Sequence, residues 1–354
     1  MALWYQCIEM CATLAHANLS EEAIWRLIFY FYQCSQFFLI NATYFLCYRF
    51  ARNVGIRSMP ALALVTALFS FNTPLLRTLR HNQINLWVLD LILLAILFSR
   101  AHPIISGLVV APGGHIKVYP LALWLPWSIT RRWRAIVGSL VGFFSIVFIQ
   151  TSGGRNWRLW YQFLAFSRSF PRGTRFRDNS LHSIVYNLVR MAGLLVDGST
   201  ARLQAITDVV VALITFVIVV WFAVRFIERE RIFSALTKVA DRQSSNLWED
   251  TSRLYGHLLD AVTLALLISP QVWEHHYVLA MPMILWAAAT RWRDRPWPVG
   301  IGAFLILVLP TFDVFPFSYH RLAGLLMLLC LTSPKALGNA RIGAKQAGIP
   351  VSIG

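Results

Sequence analysis

Long apolar runs, most of them bounded by short basic loops, follow one another along this chain from Ala23 to Leu331. The runs are continuous rather than alternating, which predicts helices and not strands. In order, the pattern predicts spans over Ala23–Tyr48, Met59–Leu76, Leu86–Phe98, Ala135–Gln150, Ile206–Val224, Tyr255–Ile268, Tyr277–Ala289, Val299–Pro310 and Leu322–Leu331. Ser20-Glu21-Glu22 reads as the start of the first span, after an amphipathic stretch over residues 1–20. One segment breaks the pattern. Gly107–Trp133 is long enough to cross a bilayer, but Pro112-Gly113-Gly114 interrupts it, and Lys117 and Tyr119-Pro120 follow. A lysine near mid-membrane costs roughly 2.5–3.5 kcal/mol on insertion scales. A helix broken in lipid is tolerated where it is buried in protein or lines a wet cavity. Lys117, the only lysine before Lys238, is therefore expected to face an internal cavity and meet an anion there. The plainer alternative is a lysine snorkelling to the interface.

The expected fold class is all-α: a polytopic transmembrane helical bundle with a broken or re-entrant helix pair and one long extracytoplasmic loop. Arginines set the orientation. Arg49, Arg52, Arg57, Arg100, Arg131, Arg132, Arg134, Arg291, Arg293 and Arg295 fall in short loops that the positive-inside rule puts in the cytoplasm. The N-terminus is then outside. Residues 151–206, with eight arginines, form the long extracytoplasmic loop, which escapes that rule by its length. Residues 225–254 read as a charged cytoplasmic linker and 334–354 as a cytoplasmic tail, leaving 1–333 as a single transmembrane domain.

Composition agrees. The chain is 57% hydrophobic and only 14% charged, against about 25% charged in soluble domains. The net charge of +16 reflects loop arginines beside apolar segments, so no nucleic-acid partner is expected. Residues 1–20 lack the basic start and apolar core of a cleavable signal peptide. Cys7, Cys11, Cys34, Cys47 and Cys330 are scattered without a second metal-spaced pair, so no metal is expected.

Four polar clusters stand out against the apolar background. His81-Asn82-Gln83-Ile84-Asn85 opens a span, where the amides of Gln83 and Asn85 suit hydroxyl binding, or else satisfy the helix start. Lys117 with Tyr119 is the second. Asp178-Asn179-Ser180-Leu181 is a turn signal; Arg190 lies nearby and has the fork geometry for a phosphate. The fourth, Ser269-Pro270-Gln271-Val272-Trp273-Glu274-His275-His276-Tyr277, places two histidines, a carboxylate and a tryptophan at a membrane edge. A histidine there suits phosphate binding or proton movement, while the plain reading is an interfacial aromatic belt. Together the clusters outline an outer cavity with a cation for an anionic head group, amides for hydroxyls and rings for sugar faces. Such a cavity suits a lipid-linked phosphosugar.

At these residues the chain resembles the membrane glycosyltransferases of family 87, formerly a domain of unknown function, within the GT-C superfamily. The family's Gly-Gln-x-Asn appears as Asn82-Gln83-Ile84-Asn85, with Asn in place of Gly. Its Lys-x-Tyr-Pro step appears as Lys117-Val118-Tyr119-Pro120, followed by Arg131-Arg132-Trp133-Arg134. Asn179-Ser180-Leu181 resembles its Asn-x-Ser-Leu loop without the intervening residue. Ser269-Pro270, Trp273 and His275-His276-Tyr277 match its Ser-Pro-x-x-Trp-x-His-His-Tyr. The resemblance runs over roughly residues 20–330. It implies a GT-C-like fold and an inverting transfer of a hexose, mannose above all, from a polyprenyl-phosphate sugar. The acceptor would be a lipid-linked or glycan hydroxyl on the extracytoplasmic face of a bacterial plasma membrane. It implies no cofactor and no metal. It gives Lys117 and one of His275 and His276 to the leaving phosphate; Tyr119, Gln83, Asn85, Asn179, Ser180, Arg190 and Trp273 are expected to bind substrate. The family's general base is an Asp in its first outer loop. No Asp precedes Asp90 here, so the base is expected upstream of Met1; Glu274 and Asp313 are outer carboxylates without a family motif behind them. Two rivals follow: a transporter or flippase of an amphipathic lipid, and an inactive member that binds the lipid-phosphate sugar.

Overall fold

A computed structural model describes residues 20–158 except 82, 160–162, 165, 178–192, 200–239 and 246–335, with the side chains of 235–250 left aside. The chain is an all-α membrane protein: among the described residues there are no strands, only one isolated bridge between Asp178 and Trp273. Thirteen α-helices matter for the site: α1 Glu21–Asn53, α2 Ser58–Ser70, α3 Thr73–Arg80, α4 Asn85–Phe98, α5 Pro103–Ile116, α6 Trp124–Ile129, α7 Trp133–Gln150, α8 Leu181–Met191, α9 Thr200–Val239, α10 Asn246–Leu267, α11 Met281–Arg291, α12 Pro296–Leu307 and α13 His320–Leu331. Short 3-10 turns cover Tyr119–Leu123, Glu274–Ala280 and Phe317–Tyr319. The amphipathic stretch expected before Ser20 lies outside the described residues.

The start of α1 is the one that Ser20-Glu21-Glu22 predicts: the Ser20 hydroxyl accepts from the Ala23 amide at 3.2 Å, and two acidic residues occupy the first turn. Other boundaries differ. The span expected over Met59–Leu76 is two helices bent by 54°. The bend falls at Asn72, whose side chain accepts from the Leu75 amide and caps α3 ahead of Pro74. Among the described residues, only Trp133–Gln150 and Ala201–Ser234 are long and apolar enough alone to cross a membrane, or three elements with the bent pair. Helices α4 and α5 have 14 residues each, about 21 Å, short of the roughly 30 Å hydrocarbon core. Several of these short helices begin or end at the candidate site.

The break in the segment after Pro103 also moves. Helix α5 runs straight through Pro112-Gly113-Gly114 and ends only at Ile116, so the break falls at Lys117. The glycines serve packing instead: a Cβ on Gly113 would sit 2.9 Å from the Pro120 ring, where the chain folds back. Close approach also fixes α5 against α7. A Cβ on Gly107 would lie 1.9 Å from the Ala135 carbonyl oxygen, and one on Gly138 2.4 Å from that of Ile104. In lipid, burying apolar surface between helices brings little hydrophobic gain, so such small-residue contacts and polar pairs carry the association.

The main core joins α1, α4, α10, α11 and α13 through buried residues such as Phe50, Leu89, Leu258, Met281 and Leu328. Val185, Val189 and Leu203 form a small separate core between α8 and α9. The outward sides of α1 and α9 are apolar and exposed, with Phe31, Phe38, Phe216 and Val220 among them, as lipid-facing helices require. Within residues 225–254, expected as a linker, the described stretches 225–239 and 246–254 are helical. Arg225 and Arg229 sit inside α9 and both bond Asp260 on α10 at 2.8 Å. A carboxylate in an apolar helix finds its counter-charge on a neighbouring helix, and this pairing extends the helix beyond the apolar run.

Candidate functional site

Helix α4 starts at Asn85, whose fully buried side chain works at both ends. Its Nδ2 donates to the His275 carbonyl at 3.1 Å, and its Oδ1 accepts from Lys117 Nζ at 2.6 Å. The Thr78 hydroxyl also reaches the His275 carbonyl, at 3.3 Å. One amide thus ties the Lys117 turn to the double-histidine segment. Lys117 stands directly after the end of α5 at Ile116 and beside the start of α4. Its ammonium stands 5.9 Å over the Tyr119 ring, and among the described residues it makes no ion pair.

Tyr119 turns toward the same segment. Its hydroxyl lies 2.9 Å from Ser269 Oγ, and its ring meets that of His276 edge-on at 6.0 Å. The His275 and His276 rings are 4.6 Å apart. The Trp273 amide donates to His276 Nδ1 at 2.9 Å. A ring nitrogen that accepts an N–H carries no proton, so the neutral ring keeps its proton on Nε2 and offers a donor there. Both histidines lie outside the helical spans. Burial, then the neighbouring positive charge of Lys117, lowers the pKa of each, that of His275 to about 4. They are therefore neutral donors at ordinary pH.

The third cluster docks onto the fourth. Asp178 and Trp273 form the isolated bridge, and the Asn179 amide donates to the Val272 carbonyl at 2.7 Å. Asp178 Oδ1 accepts from the amides of Val272 and Ser180, both at 2.9 Å. Ser180 is also structural, because its hydroxyl accepts from the Ser183 amide as the N-cap of α8. From α8, Asn187 donates to the Tyr319 hydroxyl at 3.1 Å.

Of the residues singled out in the sequence, Asn85, Lys117, Tyr119, Asn179, Ser180, Trp273, His275 and His276 thus belong to one connected group. Gln83 stands apart, with its amide turned to the His81 carbonyl at 3.4 Å. Arg190 is exposed in the last turn of α8. Asn82 lies outside the described residues.

Beneath the group is a clamp that sequence reasoning misses. Glu274 bonds Arg321 at 2.8 Å and Arg77 at 3.4 Å, and accepts from the Thr311 hydroxyl. Arg321 is fully buried and also donates to Thr73 and to the carbonyls of Leu309 and Ile306. A signal was present: an arginine at the head of an apolar run asks for a buried partner. With both oxygens engaged by cations or a hydroxyl, Glu274 is a structural anchor and not a free base. Among the described residues, no cluster of His, Cys, Asp and Glu has the make-up of a metal site.

The model of glycosyltransferase family 87 matches residues 25–240, a shorter stretch than the motifs suggest. It takes in Asn85, Lys117, Tyr119 and the Asp178 loop, while the double-histidine segment lies beyond it. Over 239 residues the chain is 26% identical to a polyprenol-phosphate-mannose-dependent alpha-(1-2)-phosphatidylinositol pentamannoside mannosyltransferase of Mycolicibacterium smegmatis. The match covers 66% of this chain and 50% of that protein, so the chain spans about half the length of that relative. No solved structure matches the chain. With more than half its length matched by the family model, the chain belongs to glycosyltransferase family 87.

Proposed function

We propose that this group of residues is the phosphosugar site of a membrane glycosyltransferase that moves a hexose, mannose by the reading of its relative, from a polyprenyl phosphate to a hydroxyl of a lipid-linked or glycan acceptor. The observation that carries this is Lys117. It is a half-buried cation with no ion pair among the described residues, held by a neutral amide and flanked by two neutral histidines. A positive charge partnered only by dipoles keeps its full attraction for an incoming anion.

In the transfer the acceptor oxygen attacks the anomeric carbon, the carbon–oxygen bond to phosphate breaks, and the phosphate takes the electron pair. The monoester leaves as an anion, so it needs positive charge and donors rather than a proton. Lys117 supplies the charge and His276 Nε2–H a donor. The acceptor proton goes to a base other than Glu274, whose oxygens are taken. Tyr119 and Trp273 offer ring faces to the sugar. The site faces the extracytoplasmic side of a bacterial plasma membrane in the orientation set by the loop arginines.

The test uses the full-length protein in detergent or vesicles. Lys117→Ala is expected to weaken polyprenyl-phosphate-mannose binding and lower transfer by about a hundredfold, the scale of one lost transition-state donor. Lys117→Arg should retain part of both. Unchanged binding and transfer in Lys117→Ala would remove the cation from the site and the reading with it.

A further inference from the structure

A cavity of about 740 Å³ lies away from Lys117. It lies along α9 where α6 and α10 meet it. Its wall is apolar, with Ile129, Val219, Phe222, Phe226 and Leu264 among its members, and at one end it turns polar at Glu230, Arg231 and Ser234. From Val219 to Arg231 is twelve residues of continuous helix, about 18 Å. One leaflet of hydrocarbon is about 15 Å deep, half of a roughly 30 Å core. The cavity from its apolar end to its polar mouth thus matches the depth of a single acyl chain, with Glu230 and Arg231 at head-group level.

Charge at that end is unbalanced. Arg225 and Arg229 share the single carboxylate of Asp260. Arg253 bonds Glu230 at 3.1 Å, and Glu230 also receives His257 Nε2 at 2.7 Å. Arg229 donates to His257 Nδ1, so that imidazole is neutral. Lys335 and Glu228 cancel each other at 2.8 Å. Arg231 is exposed at the mouth and makes no ion pair among the described residues. Among the described side chains, four arginines therefore face two carboxylates, an excess of two positive charges beside an acyl-sized cavity.

We infer that this cavity is a binding site for an anionic phospholipid, with one acyl chain against Phe222 and Phe226 and the phosphate at Arg231. Charge complementarity selects an anionic head over a zwitterionic one, since a basic pocket between transmembrane helices is the form that acidic lipid head groups occupy. The sugar donor does not fit the same pose. Gln204 of α9 bonds His182 beside the candidate site, and Arg231 lies 27 residues further along the same helix, about 40 Å. One phosphate does not reach both Lys117 and Arg231. The inference is independent of the transfer reaction proposed above.

Native mass spectrometry of the full protein, released from detergent and titrated with phosphatidylglycerol or phosphatidylcholine of identical chains, tests it. Phosphatidylglycerol should be retained in preference, and Arg231→Gln should cut that preference by about fivefold, the worth of one basic residue at an anionic lipid surface. Ala223→Trp, which fills the cavity from its wall, should lower retention of both lipids. Equal retention of the two lipids, or a preference untouched by Arg231→Gln, would overturn the site. So would displacement of phosphatidylglycerol by polyprenyl phosphate that depends on Arg231, which would give the cavity to the donor. Arg231 is exposed, so its substitution leaves the fold intact and the outcome readable.

Discussion

Arg321 and Glu274 come from different helical elements, yet their side chains meet at 2.8 Å with the guanidinium fully buried. Glu274 stands next to His275, so this ion pair fixes the backbone that carries both histidines. Breaking a buried pair from one side leaves the other charge uncompensated and costs about 3–5 kcal/mol. Arg321→Met is expected to destabilise the protein by about 3 kcal/mol, the lower figure because Arg77 still faces Glu274. The double variant Arg321→Met, Glu274→Gln should recover much of that loss. Thermal unfolding of the three proteins in the same detergent measures it. A double variant no more stable than the single would show that the two residues do not act as a pair.

Asp178 connects the third cluster to the fourth through a single oxygen that accepts two backbone amides. Asn keeps an acceptor at that position, whereas Ala leaves two buried amides unsatisfied. Each orphaned group costs about 1–3 kcal/mol. Asp178→Asn should therefore retain stability and transfer within a few-fold, and Asp178→Ala should lose both. If Asn proves as damaging as Ala, the carboxylate charge does more than hold the two segments together.

The parts of this architecture that were legible in the sequence are those that local chemistry writes down. Ser20-Glu21-Glu22 announces a capped helix and is one. Asn85, Lys117 and the Ser269–Tyr277 segment stand out because polar groups are rare in this chain, and the structure joins them. What stayed hidden depends on partners far away in sequence. Pro112-Gly113-Gly114 reads as a break, but α5 continues through it to Ile116, and the glycines make room for Pro120 and Leu121. Arg225 and Arg229 read as the start of a loop because nothing nearby in sequence reveals Asp260 as their partner. Arg321 reads as a loop residue for the same reason: its acceptors come from Thr73, Glu274 and the end of α12.

The histidines give a pH prediction with a definite sign. The folded pKa of His275 lies near 4 and that of His276 below its ordinary value, while in the unfolded chain both return to about 6.5. Between those values the unfolded chain binds more protons, so stability falls as pH drops from about 6.5 toward 4. Above pH 6.5 the contribution is flat. Melting temperatures at pH 7.5 and 5.0 should drop more for the wild type than for His275→Gln. Equal drops would mean that His275 does not titrate in this way.

Asn85 offers the sharpest separation between charge and architecture. Asn85→Asp preserves the size of the side chain and its oxygen facing Lys117 at 2.6 Å, but it gives the ammonium a carboxylate partner. The pair would neutralise the positive charge that the proposed phosphate needs, and it would remove the donor to the His275 carbonyl. Donor affinity and transfer are then expected to fall by at least tenfold, the scale of one charge-assisted hydrogen bond. Asn85→Gln, which keeps an amide, should lose less. The informative comparison is the double variant Asn85→Asp, Lys117→Ala. If the cation acts on the phosphate through its charge, adding Lys117→Ala to Asn85→Asp should weaken donor binding again, because the pair goes from neutral to a lone carboxylate facing the phosphate. Donor binding no weaker in the double variant than in Asn85→Asp would place the two residues in separate roles, and Lys117 would then owe its effect to something other than its unpaired charge.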